Sequence, residues 1–227
     1  MNVFPTLSPI IACDPPRCAA PVPQGRDKSR QILNGAREVF LAQGFDGASM
    51  GEIARAAGVS KGTLYVYFPS KEELFAALVR EQSEQTAEHC FVLDPNEDVQ
   101  AALVALSHRY IRAMIQPANV ATVRMVIGVA EKLPQIGRLY YASAQERAVA
   151  LLSEWLRAKI AAGELAIDDV DLASWQFVIG CHARIVLPAF FCGISASDEE
   201  IERVVNFTVG AFLRAYAPRR CPSDQPG

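Results

Sequence analysis

The stretch from Ser49 to Phe68, SMGEIARAAGVSKGTLYVYF, constrains the chain more than any other. Ser49 and Glu52 stand at capping-box spacing, where each side chain satisfies a backbone N–H of the other residue. Met50, Ile53, Ala54 and Ala57 then recur at helical spacing and give one apolar face. Gly58 follows the last apolar position, where a chain leaving a helix turns left-handed and glycine does so without steric cost. Val59 plugs the corner, and Ser60 caps a second helix. That helix turns Leu64 and Phe68 inward and Lys61, Gly62, Thr63, Tyr65 and Tyr67 outward. This is a helix-turn-helix pattern, whose second helix enters a DNA major groove. Lys61 suits a guanine edge or a phosphate, Thr63 and the tyrosines suit phosphates, and Gly62 permits close backbone approach. An ordinary corner in a helical bundle carries the same caps, so spacing alone leaves both readings open.

The next residues sharpen the choice. Pro69 ends the second helix, and Ser70 with Glu73 repeats the capping pattern at the start of KEELFAALV. Lys71 falls in the first turn of that helix, where a cation opposes the helix dipole and a nearby phosphate would relieve the conflict. GFDGASMGEIARAAGVSKGTLYVYFPSKEELFAALV resembles the DNA-binding domain of TetR-type repressors, from near Arg26 over about a quarter of the chain. The resemblance implies an all-helical homodimer on a palindromic operator, released when a small molecule fills the C-terminal domain. On matching positions it implies that Lys61, Gly62, Thr63, Tyr65, Tyr67 and Lys71 face DNA and that Ser49 touches a phosphate. Ala48 stands where such proteins often carry threonine, which removes one polar contact. RMVIGVAEKLPQIGRLYY, from Arg124 to Tyr141, resembles the C-terminal domain of AefR-like TetR regulators and names no ligand.

Charge is distributed as a DNA-binding head on an acidic body requires. The net charge of −3 argues weakly against nucleic acid, but residues 26–71 carry seven basic and four acidic groups, against fourteen and twenty from 72 onward. Affinity for DNA should therefore fall with salt. With 51% hydrophobic residues, the chain has enough apolar surface for a core. No apolar run reaches the length of a membrane helix, so no membrane is expected. The six cysteines, Cys13, Cys18, Cys90, Cys181, Cys192 and Cys221, form no CxxC pair and read as reduced thiols of a cytoplasmic protein.

Four segments follow. Residues 1–25 hold six of the fourteen prolines and read as a disordered or loosely attached arm. Residues 26–71 form the head. Its first helix runs from Asp27 to Gln43 with the stripe Ile32, Leu33, Ala36, Val39 and Phe40 and stops at Gly44; Arg26, Lys28 and Arg30 at its start are placed for phosphates. Residues 72–217 form a ligand-binding and dimerisation bundle, and 218–227 a flexible tail. The helix from Ser70 to Cys90 links head to body. Further helices are expected from Asp94 or Asn96 to Gln116, Val120 to Lys132, Gln135 to Ala162, Asp168–Asp171 to Phe191, and after Ser197.

A cavity in the bundle is expected in the region of Leu106, Tyr110, Met114, Met125, Val129, Tyr141, Trp175, Ile179 and His182, although plain core is the favoured reading of each one taken singly. Arg124 must pair with an acid or orient a polar ligand. Val178, Ile185, Phe207, Val209 and Phe212 suit a self-complementary face, since the resemblance places the dimer on the last two helices. Such a dimer sets two recognition helices about 34 Å apart or farther. The leading expectation is a repressor released by a small hydrophobic, aromatic or phenolic effector, controlling a neighbour such as an efflux system. A cysteine-based redox trigger and a helical interaction module without DNA remain alternatives. An enzyme fits poorly: three histidines, no catalytic motif, no metal signature and no cofactor site.

Overall fold

The computed structural model describes residues 24–218, so most of the expected arm and tail, with Cys13, Cys18 and Cys221, lie outside the described residues. Among these the chain forms nine helices and no strand. Helix α1 covers Gln24–Gly47, taking Gln24 and Gly25 from the expected arm, and breaks at Gly44, whose φ is 71°. Helices α2 (Met50–Ala56) and α3 (Lys61–Tyr67) form the corner, and α4 spans Lys71–Cys90. The body adds α5 (Val99–Met114) and α6 (Pro117–Val129). Helix α7 runs over Pro134–Tyr140, a π-helical turn at Tyr141–Glu146 and Arg147–Ala161. Helix α8 is the rod Val170–Cys192, and α9 is Asp198–Tyr216.

Several boundaries move from their expected places for identifiable reasons. Asp98, not Asp94 or Asn96, caps α5, because its carboxylate reaches the Ala101 N–H at 2.9 Å. Pro117 and Pro134 open α6 and α7, positions where a missing N–H costs nothing. Inside α8 a π-helical turn covers His182–Val186, just ahead of Pro188, which has no N–H to return one turn back. The rod is long and apolar enough to cross a bilayer, against expectation, but one face lies in the chain's own core.

Two cores share one helix. The head core gathers Ile32, Phe40, Ile53 and Leu64 with Leu74, Phe75, Leu78 and Val79 of α4. It also takes Val126 and Val129 of α6 and Ile136 of α7, so the head does not stop at residue 71. Phe40, Phe45 and Phe75 meet in a triangle, with ring centroids 5.1–6.0 Å apart. The body core contains Cys90 and Phe91 from the far end of α4, with Leu103, Leu152, Phe177, Val205 and Phe212. Helix α4 therefore belongs to both.

Candidate nucleic-acid interface and effector cavity

The corner forms as its caps dictate. Ser49 Oγ accepts from the Glu52 N–H at 3.3 Å, and a Glu52 oxygen accepts from the Ser49 N–H at 3.2 Å. The Ser49 hydroxyl also donates to Glu52 at 2.6 Å, and this bond, first among its causes, holds the Glu52 carboxyl below its usual range. Gly58 takes φ 61°, the left-handed turn expected of it. Helix α1 grips the corner: Gln31 donates to the Ala57 carbonyl at 2.7 Å, and Gly35 lies so close that a Cβ there would sit 2.5 Å from Ala57 N.

On α3, Leu64 is buried, with Phe68 beside it, while Lys61, Gly62, Tyr65 and Tyr67 are exposed. The Lys61 stem lies across Gly51, where a Cβ would stand 3.0 Å from its Cε. Thr63 is half-buried and shares a 2.8 Å hydrogen bond with the Ser60 cap, so its hydroxyl turns back toward the corner. Lys28 pairs with Gln31 at 3.0 Å at the start of α1, and the side chain of Arg26 lies outside the described residues. Val66 escaped the sequence reading. It is 82% exposed, and the signal was its spacing of two from Leu64, which puts it on the far side of the helix.

Lys71 departs from its expected place against DNA. Its ammonium donates to the carbonyls of Phe45 and Ala48 at 2.8 and 2.9 Å and lies 4.6 Å from the Phe45 ring centre. The conflict with the α4 dipole is relieved from within: the Phe45 carbonyl in the last turn of α1 and the Ala48 carbonyl just beyond it supply the negative end.

A cavity of about 30 Å³ lies where α4, α5, α6 and α7 meet. Helix α4 gives Gln82, Ser83, Thr86 and Ala87, and α7 gives Tyr140, Ala144, Gln145 and Ala148. Gln82 donates to the Asn119 amide oxygen and accepts from the Thr122 hydroxyl at 3.0 Å, tying α4 to α6. The carbonyl oxygen of Gln145 is buried with no hydrogen-bond partner. The Tyr110 hydroxyl meets His182 Nε2 at 2.6 Å behind this wall. Burial pushes His182 down to about 4 and Tyr140 up to about 12.

Residues 32–78 match the description "Bacterial regulatory proteins, tetR family", and residues 101–218 match "AefR-like transcriptional repressor, C-terminal domain". The chain belongs to the TetR family of transcriptional regulators. A TetR-family regulator from Mesorhizobium loti superposes with a TM-score of 0.82 at 28% identity, over 86% of this chain and 100% of that one. The structure of the Flavonoid-responsive Regulator FrrA is 34% identical with a TM-score of 0.72, over 86% of this chain and 100% of its own. The HTH-type transcriptional regulator SrpR of Pseudomonas putida is 25% identical, over 83% of this chain and 85% of its own.

Against this TetR frame, only Tyr110 and Met114 of the nine expected cavity residues line the cavity. Leu106 is core, Met125 and Val129 pack toward the head, and His182 stands behind Tyr110. Tyr141 stacks on Trp175 at 5.8 Å outside the cavity, and Ile179 is exposed. The α4 wall was missed because its small and amide side chains carry no apolar stripe. Arg124 meets neither an acid nor the cavity; it donates to the Phe190 and Ala189 carbonyls at 2.6 and 3.0 Å, near the end of α8.

The expected dimer residues also divide. Val178, Ile185, Val209 and Phe212 are buried in the chain's own core, whereas Phe207 is 73% exposed. The outer face of α8 instead presents Leu172, Ile179, Leu187 and Phe191. The π-helical turn inserts one extra residue, which by helical geometry keeps Leu187 and Phe191 on the side of Leu172 and Ile179. Among the described cysteines, burial pushes Cys90 and Cys181 up to about 11, away from thiolate chemistry, and Cys192 is exposed.

Proposed function

We propose that this TetR-family regulator is a homodimeric repressor of a palindromic operator, released by an uncharged, hydroxylated aromatic effector. One observation carries the reading. Helix α4 places Leu74, Phe75, Leu78 and Val79 in the head core and Gln82, Ser83, Thr86 and Ala87 on the cavity wall. A cavity of about 30 Å³ holds one water, so a larger guest must push its walls apart. The wall that moves with the head is α4, and changed spacing of two heads ends the fit to two half-sites.

The lining favours the effector class. None of its thirteen residues is charged, so an ionised guest would lack a counter-charge. Ala87, Met114, Val123 and Ala148 suit an apolar body, and the unpartnered Gln145 oxygen suits a hydroxyl donor. Polyphenols have this chemistry, and FrrA is named for its response to flavonoids. For the dimer, the exposed stripe on α8 and Phe207 on α9 are the surfaces to cover.

The test is a gel shift with DNA upstream of the gene, at fixed salt, repeated with flavonoids, their O-methyl ethers and aromatic carboxylates. Release by the hydroxylated compounds alone is expected. Release by carboxylates alone would refute the effector class, and a monomer that binds the operator tightly would refute the dimer.

A further inference from the structure

We infer that Val66 reads a thymine methyl group in each operator half-site. The inference rests on α3 being the helix that enters the groove.

The geometry of α3 singles out this residue. Each residue turns a helix by about 100°. Leu64 is buried under α3, so the crest opposite it is formed by Gly62 and Val66, each two residues away along the chain. Tyr65 lies on one flank of that crest, and Thr63 and Tyr67 on the other. Whatever surface α3 is laid against meets Gly62 and Val66 first. Gly62 has no side chain, and a Cβ there would find only Ser60 Oγ, at 3.8 Å, so nothing in the protein prevents its backbone from coming close. Val66, at 82% exposure, touches little of its own chain.

Chemistry then decides what Val66 meets. Lys61, Thr63, Tyr65 and Tyr67 all carry hydrogen-bonding groups and can serve phosphates or base edges. Valine has none, so a phosphate gives it nothing. In the major groove, the apolar feature of the base edges is the C5 methyl of thymine. A branched apolar side chain on the crest of α3 therefore selects thymine at the position beneath it and disfavours cytosine, which presents an amino group and no methyl.

The experiment uses the full chain and an operator obtained by selection from random DNA. Each thymine of a half-site is replaced in turn by deoxyuridine, which deletes the methyl and keeps every hydrogen-bonding group. Burying one methyl is worth about fourfold in affinity. One position should therefore weaken wild-type binding about fourfold, and about fifteenfold when substituted in both half-sites. Val66→Ala should bind with little difference between thymine and deoxyuridine at that position; its fold is checked by its melting curve. Two results overturn the inference. One is a wild-type protein indifferent to every deoxyuridine. The other is a deoxyuridine effect of the same size in Val66→Ala. Failure to select any site would refute DNA reading by α3 itself, and the inference with it.

Discussion

Replacing Gly35 by alanine should harm both stability and DNA binding, although the position is in the middle of a helix where alanine normally helps. A Cβ at Gly35 would stand 2.5, 2.6 and 2.7 Å from Ala57 N, Cα and Cβ. Two of these atoms are backbone, so no rotamer change can move them aside. Helices α1 and α2 must part by roughly 1 Å to reach ordinary contact. Such overpacking costs about 1–3 kcal/mol, and alanine's better helix propensity returns about 0.5–1 kcal/mol. A clash with backbone at 2.5 Å places the cost in the upper part of that range, and the resulting net loss of about 1–2 kcal/mol lowers the melting temperature by about 2–8 °C. The same displacement strains the bond from Gln31 to Ala57 and shifts α3 through the corner, so operator affinity should fall as well. Gly128 is the control. It is helical and exposed, and a Cβ there meets nothing within 4 Å, so Gly128→Ala should gain about 0.5–1 kcal/mol. Thermal melts of the two variants beside wild type decide the matter. If Gly35→Ala melts at or above wild type, the close approach does not constrain the fold and the reasoning fails.

Four further outcomes are expected. Lys71→Met should lower stability by about 1–3 kcal/mol by freeing the Phe45 and Ala48 carbonyls, and leave the salt slope of operator binding unchanged. Lys61→Ala should leave stability alone; if Lys61 meets a phosphate, the slope falls by about one unit per contact, and a reduced slope for Lys71→Met would restore its role at DNA. For His182, desolvation lowers the folded value from 6.5 to about 4, so the unfolded chain binds the extra proton between those values. Stability thus falls as pH drops through that window, by about 2 kcal/mol from pH 7 to 5. His182→Gln should flatten this part of the slope in chemical denaturation; an unchanged slope would mean another group is responsible. Phe207→Glu should give monomers in sedimentation and weak operator binding, and a dimer of undiminished affinity would place the interface elsewhere.

The head was legible because its signals are local. Capping boxes act over three residues, Gly58 answers to its own φ, and Leu64 and Phe68 mark one face by spacing alone. Family resemblance carried the two-domain arrangement as far as function requires. Lys71 was misread for a tertiary reason: its partners are the Phe45 and Ala48 carbonyls, 26 and 23 residues earlier in the chain. The dimer face was misread because a stripe of large apolar residues marks what is buried but not by which chain. Val178, Ile185, Val209 and Phe212 turned out to be buried by their own.

By itself, the sequence determined the all-helical class, the corner and which side of α3 faces outward, because these depend on neighbours within a turn or two. Only the tertiary structure decided which residues enclose the cavity, what Lys71 and Arg124 hold, and that α4 belongs to both cores. Those facts depend on how helices distant in sequence come together. An amide such as Gln82 or Gln145 looks the same in a sequence whether it faces solvent or the wall of a cavity.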